Sequence, residues 1–164
     1  MRAITFAALA AMLLAAQGCS VPPAKAYAYP AWGFAASFRE PPTESASPAS
    51  PGGPGGFRVA SVSAGRTFSI EVADGSASPK SDETILREFP TALAQGGTLA
   101  SQIYVAAGPV TGRELLIERT GQATQRVRIF VSRRRLYAVS AQSSLGPKDP
   151  EVERFLTSFR LLGG

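Results

Sequence analysis

The stretch "GRELLIERTGQATQRVRIFVSRRRLYAVSA", Gly112 to Ala141, decides the fold. Apolar and polar residues alternate through it in three runs, Arg113–Arg119, Gln125–Ser132 and Leu136–Gln142, separated by turn-prone residues. A period of two is the signature of a strand with one buried face. Three consecutive runs of it predict a three-stranded antiparallel meander. The register that aligns the apolar sets puts Leu115 and Ile117 on one face with Val127, Ile129 and Val131, and with Tyr137, Val139 and Ala141. On the opposite face that register sets Glu118 across from Arg126.

The residues on either side complete a domain. "DPEVERFLTSFRLL", Asp149–Leu162, predicts a helix: Asp149 as N-cap, Pro150 at the first helical position, and Glu151 and Glu153 in the first turn. Val152, Phe155, Leu156 and Phe159 form its apolar stripe. Upstream, "SDETILREFPTALAQGG", Ser81–Gly97, predicts a second helix capped by Ser81, with Ile85, Phe89 and Leu93 on one side. Pro90 predicts a kink there, or two shorter pieces. "RTFSIEVA", Arg66–Ala73, and "TLASQIYVAA", Thr98–Ala107, read as further strands. The expectation is an α+β domain over residues 57–164, a mainly antiparallel sheet with helices on its faces.

Gly112-Arg113-Glu114, Arg128 with the Arg135-Leu136-Tyr137 exit from the second turn, and the closing Phe155–Phe159 helix resemble the C-terminal half of small bacterial envelope proteins with a PsbP-like α/β/α sandwich. The resemblance covers roughly the last fifty residues. It implies that fold more than a function, although the family members in question act by docking to other proteins. None of their contact residues can be matched to positions here.

The N-terminal fifth is of another kind. Arg2 precedes an unbroken apolar run, Ala3–Ala16, which fits a signal-peptide core and is too short to span a bilayer. Ala16-Gln17-Gly18-Cys19 resembles the lipobox of bacterial lipoproteins, although the family usually has leucine where Ala16 stands. The resemblance implies a signal peptide at 1–18, acylation of Cys19, and a lipid-anchored protein of the cell envelope, with Ser20 fitting the outer membrane of a Gram-negative cell. Plain secretion after cleavage near Gly18 is the alternative. Cys19 is the only cysteine, so no internal disulfide is available. Residues 19–56, rich in Pro, Ala, Ser and Gly, read as a lipidated N-terminus and tether. Within them "AYAYPAWGFAASF" carries Tyr27, Tyr29, Trp32, Phe34 and Phe38. Two placements fit these rings: the membrane interface, or an arm packed onto the domain.

Chemistry is mostly excluded. The chain has no histidine, which removes Ser-His-Asp and Cys-His catalysis. Thiol and imidazole ligands for zinc are missing, so no metal or cofactor is expected. Glu114 and Glu118 share a strand face, but four residues separate them by about 13 Å, wider than a glycosidase pair. No catalytic residue is assigned. What remains is charge: Arg126, Arg128, Arg133, Arg134 and Arg135 crowd one hairpin of a chain with net charge +5. They form a candidate docking patch for anionic lipid head groups or an acidic envelope protein. No aromatics interleave with them to stack bases, so nucleic acid is not the expected partner. The expected function is docking to a protein or envelope surface. The alternative is a small-ligand module with a pocket between sheet and helix, lined by residues such as Phe130 and Tyr137.

Overall fold

The computed structural model of the chain describes residues 22–47, 55–75 and 80–163. The expected signal peptide, 1–18, and Cys19 lie outside the described residues.

In chain order the elements are β1 (Lys25–Tyr29), a 3-10 turn (Pro30–Trp32), β2 (Phe34–Phe38), β3 (Thr43–Ser47), β4 (Gly56–Ser63), β5 (Arg66–Asp74), α1 (Asp82–Leu93), β6 (Thr98–Ala107), β7 (Val110–Glu118), β8 (Gln125–Ser132), β9 (Arg135–Ser143), α2 (Pro150–Ser158) and β10 (Arg160–Leu161). Seven strands form one sheet in the order β3-β4-β5-β9-β8-β7-β6, and β1-β2-β10 form a second. Each pairing is antiparallel. The fold is α+β as expected, with sheet predominating over its two helices.

The larger sheet buries both faces, by different means. On one face α2 and the small sheet close over Phe57, Val59, Phe68, Ile70, Val72, Phe130 and Tyr137. Stacked and tilted aromatic pairs knit this core, among them Phe34 with Phe159 and Phe130 with Phe159. On the other face α1 covers Leu115, Ile117, Val127 and Ile129 with Leu86, Phe89 and Leu93. Phe130, on the α2 face, needs a particular neighbour. A Cβ on Gly112 would lie 2.2 Å from the Ile129 carbonyl oxygen and 2.4 Å from the Phe130 ring, so only glycine lets β7 run beneath that ring.

Both helices begin where their sequences say. The Ser81 hydroxyl accepts from the Thr84 amide, and the Asp149 carboxylate from the Glu151 amide. Of the two outcomes expected at Pro90, two shorter pieces do not occur: α1 is a single helix that runs through a buried Pro90. Only one turn of helix follows it, so a single lost amide bond leaves little to redirect.

Three expectations are corrected. First, residues 19–56 are not a tether throughout, and the fold does not begin at residue 57. β1, β2 and β3 stand within that span, and Tyr29, Phe34 and Phe38 are buried. The rings therefore take the second placement, as an arm on the domain, because the core they enter repays ordering a Pro- and Ala-rich chain.

Second, β9 is shifted by one residue. Phe130 pairs with Tyr137 and Arg128 with Val139, so Tyr137, Val139 and Ala141 face α2 while Val127 and Ile129 face α1. The cause is the turn. Two residues, Arg133 and Arg134, connect Ser132 to Arg135, and a two-residue loop sets the register of a hairpin. Third, Arg126 stands across from Leu116, not Glu118, and its acidic partner is Glu114.

Candidate functional site

Among the described residues seven arginines meet carboxylates in close ion pairs: Arg39, Arg58, Arg66, Arg87, Arg126, Arg128 and Arg154. Most of these pairs line α2. Arg126 reaches Glu114 at 2.5 Å and Glu153 at 2.7 Å, and Arg128 reaches Glu114 at 2.5 Å and Glu153 at 3.1 Å. Burial alone would lower the Arg126 pKa, but hydrogen bonds to Glu114 and Glu153 outweigh it and hold the guanidinium charged. At the N-terminus of α2, Arg66 and Ser143 both donate to Asp149. Beside them Arg39 bridges Glu151 and the Pro22 carbonyl.

The expected docking patch is therefore split. Arg126 and Arg128 belong to a strand-to-helix clamp, not to an open surface. Glu114 has one oxygen on Arg126 and the other on Arg128, and so serves both guanidinium groups as a counter-ion.

Arg133, Arg134 and Arg135 behave differently. They sit at the β8–β9 turn, where φ is +52° at Arg133 and +62° at Arg134. Positive φ at both central residues is the tight hairpin geometry that favours Asn-Gly. Arginine at each position costs roughly 1–2 kcal/mol of backbone strain. The turn is tied down by the Gly75 amide, which donates to the Arg134 carbonyl at 2.7 Å. Arg135 leans back over the Trp32 ring at 5.5 Å and donates to the Ala31 carbonyl.

This turn forms one wall of a cleft of about 610 Å³. The 3-10 turn at Pro30, the β6–β7 turn at Gly108-Pro109, and β10 with Leu162 form the others. Arg160 comes into it from β10. Among the described lining residues four guanidinium groups face one carboxylate, Asp74. Arg133, Arg135 and Arg160 have no carboxylate partner among the described residues. Tyr137 lies at the cleft's inner end. Burial raises its phenol pKa against the opposing pull of Arg135 and Arg133, so it stays neutral and donates to the Trp32 carbonyl at 3.0 Å.

The expected ligand pocket is displaced as well. Phe130 lies wholly inside the α2-side core and lines no cavity there. A separate cavity of about 360 Å³ opens on the α1 side, where Phe89 overhangs Arg58, Glu71, Leu136 and Ala138. The one-residue shift of β9 explains the exchange, because it carries Leu136 and Ala138 to the α1 face and Tyr137 away from it.

Trp32 and Arg160 went unnoticed in the sequence as site residues. Trp32 had a signal, since five aromatics in thirteen residues do not suit a tether; Arg160, a lone arginine in "SFRLL", had none.

No family model matches the chain, and no curated protein matches it. Among solved structures it is similar to CyanoP, the cyanobacterial PsbP of Synechocystis sp. PCC 6803. That solution structure is 12% identical, aligns over 91% of this chain and 98% of its own, and superposes with a TM-score of 0.55. The domain fold is PsbP-like. The likeness takes in more of the chain than residues 57–164, in keeping with β1 and β2 belonging to the domain. A crystal structure of PA94, a protein of unknown function from Pseudomonas aeruginosa, aligns over 79% of this chain and 88% of its own at 15% identity, with a TM-score of 0.40.

Proposed function

We propose that this chain is a non-enzymatic lipoprotein of the cell envelope, acylated at Cys19, whose PsbP-like α/β/α domain docks to an anionic partner through the cleft at the β8–β9 turn. One observation carries the docking role. Arg133, which has no carboxylate partner among the described residues, shares with Arg134 a turn whose backbone the two strain, although Asn-Gly would form the same turn at lower energy. Selection for folding alone does not favour that choice. Strain retained at an exposed, charged point is a mark of function.

The test is crosslinking in intact cells, comparing the natural chain with one in which Arg133, Arg134 and Arg135 are serine. A partner captured by the first and lost with the second supports docking through the turn. The same captured set from both baits overturns it. The anchor is tested separately: Cys19→Ala releases the protein from the membrane fraction, and undiminished retention removes the lipid from the proposal.

The cavity under Phe89 supports a second reading, a small apolar ligand held between sheet and helix. Phe89→Trp would fill it. A change in the mass of material co-purifying with the protein favours this reading, and no change counts against it.

A further inference from the structure

We infer that the arginine cleft takes an extended acidic segment of a protein partner, laid as an added strand along the open edge of β10, with its carboxylates on Arg133 and Arg160. This rests on the docking role proposed above and names the partner's chemistry.

Two independent features point there. The first is the edge itself. β10 pairs with β2 along one side only, Arg160 with Ala35 and Leu161 with Phe34. Its other side is an unpaired edge among the described strands, and it borders the cleft. An open edge offers backbone donors and acceptors in register to an extended chain, whatever that chain's side chains are. Around this edge the side chains supply specificity: Arg160 on β10 itself, and Arg133 from the turn, whose terminal nitrogen would sit 3.2 Å from a Cβ on Gly163. Guanidinium forks match carboxylates in geometry as well as charge.

The second feature is direction, and it argues against lipid head groups as the anion. β5 and β9 run the length of the domain. Arg66 pairs with Ser143 at one end and Asp74 with Arg135 at the other. Nine residues of strand set those ends roughly 27 Å apart. The chain enters at the first end, where Arg39 holds the Pro22 carbonyl beside Glu151 of α2. The cleft lies at the second end, with Arg135. With the anchor at Cys19, only residues 20–24 separate lipid from β1, a reach of about 17 Å at full extension. An anchor so short holds the entry end toward its own bilayer and turns the cleft away, toward whatever stands opposite.

The test uses the mature protein purified from cells and titrated with a fluorescein-labelled (Glu-Thr)4 peptide, whose alternation puts every carboxylate on one side of an extended chain. Binding is expected to be saturable and weakened by salt, and a (Lys-Thr)4 peptide is expected not to bind. Arg133→Gln and Arg160→Gln should each weaken binding roughly tenfold, and both positions are exposed, so folding is not at stake. Methylating alternate backbone nitrogens of the peptide should weaken it by a similar factor, because an added strand needs those donors. Unchanged binding by either arginine variant overturns the inference. So does unchanged binding of the methylated peptide, or displacement by inorganic phosphate at concentrations equal to the peptide's, since each describes an anion site without a strand. Arginine-dependent attachment to phosphatidylglycerol vesicles with no peptide binding also overturns it, while leaving docking intact. Docking itself fails only if the crosslinked set ignores the turn arginines.

Discussion

Arg66, on the first residue of β5, donates from Nε to Asp149 at 2.6 Å, while the same carboxylate caps α2 through the Glu151 amide and accepts from Ser143 at 2.5 Å. One acid thus joins the larger sheet, the β9 end and the helix. Burial by itself would raise the pKa of Asp149. The hydrogen bonds from Arg66, Ser143 and the Glu151 amide outweigh burial and bring it down to about 2. A depressed folded-state pKa contributes stability that is fully present above the unfolded value, near 3.9, and is lost as pH falls through about 2. Urea midpoints should therefore fall between about pH 4 and pH 2. In Asp149→Asn that part of the acid dependence should vanish, while the cap is kept. An unchanged acid limb in the variant would assign the effect to other carboxylates.

Glu114 is the more buried of two counter-ions shared by a pair of guanidinium groups on β8, the other being Glu153 of α2. Glu114→Gln leaves two charges with one shared partner. The expected loss is about 2–4 kcal/mol, read as a shift in urea midpoint at constant slope. Glu118→Gln, at an exposed position, should shift it by less than about 0.5 kcal/mol.

Gly112→Ala should be costly for a reason unrelated to charge. The new methyl would meet the Ile129 carbonyl and the Phe130 ring, and the carbonyl belongs to the β7–β8 ladder, so it cannot turn aside. Overpacking of this kind costs about 1–3 kcal/mol. Phe130→Leu in the same chain should recover part of it, whereas simple additivity of the two changes would mean the ring is not the obstacle.

Replacing Arg133-Arg134 by Asn-Gly separates folding from docking. Relief of two positive-φ arginines should stabilise the hairpin by up to about 4 kcal/mol and raise the thermal midpoint. Capture of the docking partner should fall at the same time. A variant that is more stable and still docks would show that the strained turn serves something else.

Much of the architecture could be read from residue order because local rules and tertiary packing agree there. β7 and β8 keep Leu115, Ile117, Val127 and Ile129 on one face as their alternation predicts. α2 carries its cap, its proline and Val152, Phe155 and Leu156 in the expected places, although it ends at Ser158 and residues 159–162 of the expected helix lead into β10 instead. The failures have separate physical origins. The face of β9 depends on whether two or three residues make the turn at Arg133, and both lengths leave a period of two intact. The first 38 residues of the proposed mature region average to a tether in composition, but Tyr29, Phe34 and Phe38 alternate with small residues and supply a buried hairpin. The arginine patch was visible as charge alone. Which members were spoken for depended on α2 folding back over β8 to bring Glu153 to Arg126, a contact that no local pattern encodes.

The small sheet is finished by a strand that lies more than a hundred residues further along the chain, β10. Phe34 and Ala35, in β2, wait for Leu161 and Arg160, and the Leu162 amide then closes on the Gly33 carbonyl at 2.8 Å. Phe159, which stacks on both Phe34 and Phe130, arrives at the same moment. A ribosome must therefore pass Leu161 before the hairpin of β1 and β2 can seal, since contacts so far apart in sequence form only when both partners exist. Until then the aromatic core stays unlocked.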